Sequence, residues 1–268
     1  MRRIKNFIGW ILLLIGLGIF FYPMMMSVYT NIQTERYIEL FDKKQRSKDS
    51  DPLYQEALDY NRKIYENGQK DFKDAWSYRQ PQLFLGRMKD FGYIKIPQMG
   101  VKLPIYLGAT DTNMKKGAVV LGETSLPVGG TNTNSVIAAH RGYQGIPFFR
   151  EIEKLKVNDK IYLTNPWETL TYRVESIRII QPDNSDAVKI QKGKDMVTLV
   201  TCHPYRVGKV RYVVYCVRDK GQKFEDHGGE FGFQSSEQDI LFEKLLRYIA
   251  GIGIIIMFIL LIRKGWKR

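Results

Sequence analysis

Phe7 to Tyr29 is a run of 23 residues with no charge, and a stretch that long and apolar has few places to go other than a lipid bilayer. As an α-helix it reaches about 35 Å, enough to cross a hydrocarbon core of about 30 Å. Arg2, Arg3 and Lys5 precede it. A second apolar run, 245 to 262, begins beside Arg247 and is uncharged from Tyr248 to Ile262. It spans if Arg247 keeps its stem in the apolar phase and its head at the interface. Arg263, Lys264, Lys267 and Arg268 follow it. Basic residues outside both runs place both termini in the cytoplasm and everything between them outside. The first run is longer than the apolar core of a signal peptide, and no A-x-A site follows Met24-Met25-Met26. The expectation is an uncleaved anchor in a multi-pass membrane protein, with the bilayer as one partner.

The net charge of +13 raises the question of nucleic acid. Seven of the excess positive charges sit on the two termini and residues 31–79 are balanced, while the rest is spread without a basic stripe. That distribution is a topology signal and predicts no nucleic-acid partner. Two cysteines, Cys202 and Cys216, admit a disulfide in an exported domain. Cys216 in Tyr212-Val-Val-Tyr-Cys-Val217 suits a sheet core, however, and two free thiols are expected.

The chain divides into a cytoplasmic basic end (1–6), a transmembrane helix (7–29), a stem, helix and lid (30–79), a catalytic barrel (80–220), a linker (221–244), a second transmembrane helix (245–262) and a basic tail (263–268). Residues 30–50 are polar and suit a stem. Asp51 and Pro52 start a helix as N-cap and first-turn proline; Leu53, Ala57, Tyr60 and Ile64 share one face, and Gly68 stops it. From Phe91 onward, short β-branched and aromatic runs alternate with Gly, Pro and Asn. Strands are expected over 91–97, 101–107, 135–139, 160–163, 169–180, 196–201 and 210–217. Seven or more short strands imply a closed or nearly closed antiparallel barrel. A helix is expected to interrupt it near 147–155, with Phe148, Phe149, Ile152 and Leu155 as its apolar face.

Met196-Val-Thr-Leu-Val-Thr-Cys202 delivers a thiol to a strand end. A cysteine attacks as thiolate and needs a cationic neighbour or a base. Of three histidines, His227 lies in a flexible Asp-His-Gly-Gly stretch, and His203, next to Cys202 along a strand, points to the opposite face. His140 ends the apolar run Val136-Ile-Ala-Ala and can face a cysteine at a neighbouring rim; a hydrogen-bonded surface histidine has the same signature. Arg211 is joined to Cys202 by a loop short enough for adjacent antiparallel strands. There its guanidinium can steady a carbonyl and the oxyanion formed on attack, although an arginine paired to an acid would look the same. Cysteine, histidine and arginine together suit acyl transfer through a thioester. Neither cysteine has a C-x-x-C partner, so no metal and no cofactor is expected.

Thr198-Leu-Val-Thr-Cys202 resembles the TLxTC signature of sortases, the membrane-anchored transpeptidases of Gram-positive bacteria. Arg211 and His140 stand where that family carries its arginine and histidine. Thr124-Ser-Leu-Pro-Val-Gly-Gly130 and Cys202-His-Pro-Tyr205 look like the class C, pilus-assembling members, which usually continue Thr-Pro-Tyr. The resemblance implies a mainly β fold: a closed eight-stranded sortase barrel with short helices, an N-terminal helical lid region and a transmembrane helix at each end. It further implies that Cys202 cleaves an LPxTG-like sorting signal after threonine, with Thr198, Leu199 and Thr201 as motif support. A lysine amine of the next pilin resolves the thioester. His140 serves as acid and base, and Arg211 holds substrate and oxyanion. Class C sortases also carry an Asp-Pro-aromatic lid. Here Asp74-Ala75-Trp76 lacks the proline and Asp51-Pro52-Leu53 lacks the aromatic; Asp74 and Trp76 are the expected lid pair, because Asp51 is explained as a cap. Other readings are a sortase of another class that anchors surface proteins to wall peptide, a non-catalytic membrane-anchored binding module, and another cysteine hydrolase.

Overall fold

The computed structural model describes residues 2–69, 90–225 and 236–266. Four α-helices are assigned among them: α1 (Arg2–Asp42), α2 (Pro52–Glu66), α3 (Asp111–Met114) and α4 (Glu237–Trp266). Eight strands, β1 (Gly92–Ile96), β2 (Val101–Leu107), β3 (Ala118–Val120), β4 (Thr133–Ala138), β5 (Lys160–Thr164), β6 (Thr169–Ile180), β7 (Asp195–His203) and β8 (Val210–Arg218), close a barrel in the order β1-β2-β3-β4-β7-β8-β6-β5.

The seven expected strands all form, and β2 and β6 match their expected limits. The added strand, β3, is three residues long, too short to show alternation. The expected antiparallel pairing is corrected: β2 with β3 and β4 with β7 run parallel. These are pairings between strands brought together by loops and by the rest of the sheet, and no hairpin turn sets them. The helix expected near 147–155 is corrected to turns and a short 3-10 segment, Ile152–Lys154. Phe148 takes φ +42, which an α-helix cannot accommodate. Its apolar residues are nonetheless core: Phe148, Phe149, Ile152 and Leu155 are all buried.

The barrel wall has two apolar faces. Val197 and Leu199 of β7, Val214 and Cys216 of β8 and Ile137 of β4 point into the main core. Their strand neighbours Met196, Val200, Val213, Tyr215, Val136 and Ala138 form a second cluster on the outer face, roofed by the β6–β7 connection through Val188. Period-two alternation with both faces buried explains why these strands read as unbroken apolar runs.

The expected polar stem is a continuation of α1, which runs without a break to Asp42. Its last turns lie on the barrel: Tyr37 donates its hydroxyl to the Gly92 carbonyl (3.1 Å) and Glu35 pairs with Lys102 of β2 (2.7 Å). Among the described residues, the stretch of helix long and apolar enough to cross a membrane is Leu14–Asp42. The C-terminal run lies inside α4.

Helix α2 starts as its sequence demands. Asp51 caps it by accepting from the Leu53 amide, and Pro52 occupies the first turn. Of the expected face, Leu53 and Ala57 are buried and Tyr60 packs partly buried against the core, and Asn61 is buried with them. Asn61 is a polar residue that does a backbone's work: its Nδ2 donates to the Leu126 carbonyl (3.0 Å) and its Oδ1 accepts from the Leu126 amide (2.7 Å). Gln69, just past the helix, reaches the Glu123 carbonyl and accepts from the Ile190 amide (2.8 Å).

Candidate active site

Three adjacent strands build the site. In the antiparallel β7–β8 pair, Cys202 lies directly opposite Arg211, and directly opposed residues project from the same face. In the parallel β4–β7 pair, Ala138 lies opposite Val200, and the Ala139 amide donates to the Val200 carbonyl (3.2 Å). Two residues further along both chains come His140 and Cys202, on the side of the sheet that carries Ala138 and Val200. All three side chains line one cleft of about 220 Å³ at the end of the outer apolar cluster, with walls that include Leu121, Ala138 and Val200. Cys202 is exposed and Cys216 buried; both are free thiols. Burial pushes the Cys216 thiol well above its ordinary range, which makes it inert.

The motif residues have separate tasks. Leu199 is core. Thr198 donates Oγ1 to Asn134 Oδ1 (2.8 Å), and Asn134 Nδ2 holds the Val188 carbonyl (2.8 Å), so one threonine ties β7 to the roof of the groove. Thr201 donates Oγ1 to the Ala139 carbonyl (2.8 Å), fixing the residue just before His140. His140 is half-buried, stacked on Tyr143 and edge-on to Phe148. Burial holds its imidazole below the ordinary histidine value; Asp111 raises it and Lys115 lowers it further.

Arg211 Nη1 donates to the Gly208 and Val210 carbonyls (3.1 and 3.2 Å). Gly208 has φ +67, and a Cβ there would stand 3.5 Å from the Cys202 Cβ. Both the turn and the closeness to the thiol therefore favour glycine.

His203 points away from Cys202, as its strand position requires. It is buried beside Arg141 (2.6 Å from Nδ1) and Glu153 (3.2 Å), with Tyr212 against its ring. Burial and Arg141 lower its pKa, and Glu153 opposes them. The partners in this cluster, Arg141 and Glu153, are also bonded to each other and are not evident from the sequence. In the sequence the cluster leaves one trace, an arginine directly after His140. Asp74, Trp76 and His227 lie outside the described residues. Among the described residues, no group of three or more His, Cys, Asp or Glu side chains is gathered as a metal site would need.

A Sortase domain model matches residues 94–219. Sortase A of Bacillus anthracis is 31% identical over 156 residues, covering 56% of this chain and 72% of that protein. Among solved structures, sortase C of Clostridium perfringens with the C-terminal cell wall sorting motif is 35% identical, at a TM-score of 0.59 over 70% of this chain and 97% of that one. Sortase C1 of GBS pilus island 1 is 30% identical, with a TM-score of 0.62 over 70% of this chain and 100% of that one. With its closed eight-stranded barrel and a thiol, an imidazole and a guanidinium around one cleft, the chain belongs to the sortase family of cysteine transpeptidases.

Proposed function

We propose that this chain is a class C sortase, which cleaves LPxTG-like sorting signals through a thioester on Cys202 and transfers the acyl group to a lysine amine of a pilin subunit. The observation that carries it is the register of β4, β7 and β8, which sets His140, Cys202 and Arg211 on one face around one cleft.

Cys202 Sγ, its proton passed to His140, attacks the threonine carbonyl carbon. The carbonyl oxygen takes the negative charge beside the Arg211 guanidinium, whose fixed donors strengthen as that charge develops. The C–N bond breaks, His140 protonates the departing glycine amine, and the thioester remains. A lysine amine then attacks the same carbon and gives its proton to His140, and the C–S bond breaks to leave an isopeptide. The apolar walls of the cleft suit the leucine and proline of the signal. Both apolar runs act as membrane spans, with the barrel outside the cell membrane of a Gram-positive bacterium.

Asp74 and Trp76 form the lid in this reading. The chain enters that segment from Gln69, bonded to Glu123, two residues from cleft-lining Leu121. A Trp76→Ala variant then labels faster at Cys202 with a small electrophile; an unchanged rate removes the lid. The similarity to sortase A supports a second reading, anchoring of surface proteins to wall peptide. Competing a pilin lysine peptide against a wall-peptide amine separates them: the lysine product dominates for class C, and the wall-peptide product overturns it.

A further inference from the structure

Helix α4 does more than carry the second apolar run. Its first turns present one stripe to the barrel: Ser236 just before the helix, then buried Ile240, then Glu243 and Lys244, spaced as one helix face requires. The opposite face, with Leu241, Phe242 and Leu245, is exposed. The stripe is bonded to the loop that follows the nucleophile. Ser236 Oγ accepts from the Tyr205 amide (2.9 Å), and Glu243 Oε2 accepts from the Tyr205 hydroxyl (2.8 Å) and from Arg206 (2.9 Å). The Ser236 amide donates to Glu153 (3.0 Å), the carboxylate beside Arg141 and His203. Lys244 pairs with Glu151 (2.8 Å).

The loop held in this way closes on itself and then on the catalytic cleft. The Val207 and Gly208 amides donate to the Pro204 carbonyl (3.2 and 3.0 Å), the Gly208 carbonyl holds Arg211, and a Cβ on Gly208 would stand 3.5 Å from the Cys202 Cβ. We infer that Ser236 and Glu243 are positioning residues: through Tyr205 and Arg206 they fix the Pro204–Gly208 turn, and through its Gly208 end they aim Arg211 at the carbonyl attacked by Cys202. The inference rests on the proposed roles of Cys202 and Arg211. It makes α4 part of the catalytic architecture and ties the exit of a membrane helix to the geometry of the cleft.

The test uses the full chain in detergent, with an LPxTG-type peptide, measuring kcat, KM, the rate of Cys202 labelling and Tm. Glu243→Ala is expected to lower kcat about tenfold, since small displacements of a catalytic group are costly, with KM within about twofold. Glu243→Gln keeps an acceptor for Tyr205 and loses the charge facing Arg206, so it falls between Glu243→Ala and wild type. Tyr205→Phe behaves like Glu243→Gln. Glu35→Ala, which breaks the ion pair between α1 and Lys102, keeps the wild-type kcat. If Glu243→Ala does not fold, Glu243→Gln and Tyr205→Phe decide the matter, with a loss of about threefold expected in each. Values of kcat within twofold of wild type in all Glu243 and Tyr205 variants that fold overturn the inference, and so does an equal loss in Glu35→Ala. If the wild type itself forms no thioester, it is the proposed function that fails.

Discussion

Removing the hydroxyl of Thr201 gives the sharpest test of how the barrel holds its chemistry. Thr201→Val keeps the shape of a buried side chain and deletes its bond to the Ala139 carbonyl. The hydrogen bond is worth about 1 kcal/mol net, and leaving a buried carbonyl without its donor costs about 1–3 kcal/mol. Because the Val methyl fills the vacated space, little cavity cost is added, and the loss comes to about 2 kcal/mol. For a chain of this size that is roughly 4–8 °C in Tm, read by intrinsic fluorescence on the detergent-solubilised protein. Ala139 immediately precedes His140, so activity falls further than stability: kcat for peptide cleavage drops about tenfold while KM stays nearly constant. A Tm within about 1 °C of wild type, or a kcat unchanged beside a lowered Tm, would refute the claim that this threonine places the histidine.

Three other outcomes are expected. Asn61→Ala strips the Leu126 amide of its partner and leaves the Leu126 carbonyl with the Val128 amide alone, which costs about 1–3 kcal/mol and releases α2 from the barrel; hydrogen exchange at the Leu126 amide rises, and wild-type protection there would contradict it. In a Cys202→Ala background, with no thiolate to pair with, the His140 imidazole titrates below 6.5 by NMR because burial disfavours its charged form; a value above 6.5 would show that another group compensates the burial. Asp219 is held down to about 2, chiefly by its bond to Lys160, with Arg173 adding to it. A depressed carboxylate contributes stability above its unfolded value near 4 and loses it as pH falls toward 2. Asp219→Asn therefore destabilises at pH 6, by about 1–2 kcal/mol after allowance for solvent screening, and converges with wild type near pH 2; a gap in Tm independent of pH would refute the ionic origin.

Much of this molecule is legible in its sequence, and the parts that are not share a cause. Strands β2 and β6 have enough β-branched length to declare themselves, and Asp51-Pro52 announces a helix through local capping chemistry. The opposition of Cys202 and Arg211 follows from a short loop between antiparallel strands. The parallel pairing of β4 with β7, which brings in His140, depends on contacts between segments far apart in the chain, so in the sequence only a rim position and the family resemblance mark the histidine. Residue-level surprises come from burial of polar groups. Nothing local marks Asn61 as buried, yet its amide bonds both backbone groups of Leu126. Arg141 and Glu153 carry no local sign of burial, yet they surround His203 at the end of β7. Phe148 reads as helical because its hydrophobicity is right for the core and nothing local reveals its positive φ.

Intact mass of the full-length protein after mixing with an LPxTG-type peptide tests the central claim most directly. The account predicts an adduct equal to the peptide acyl fragment ending in threonine, present in wild type, absent in Cys202→Ala, retained in His203→Ala, and discharged by adding a lysine amine. An adduct that persists in Cys202→Ala, or no adduct and no cleavage with wild type after removal of the segment proposed as a lid, would contradict it.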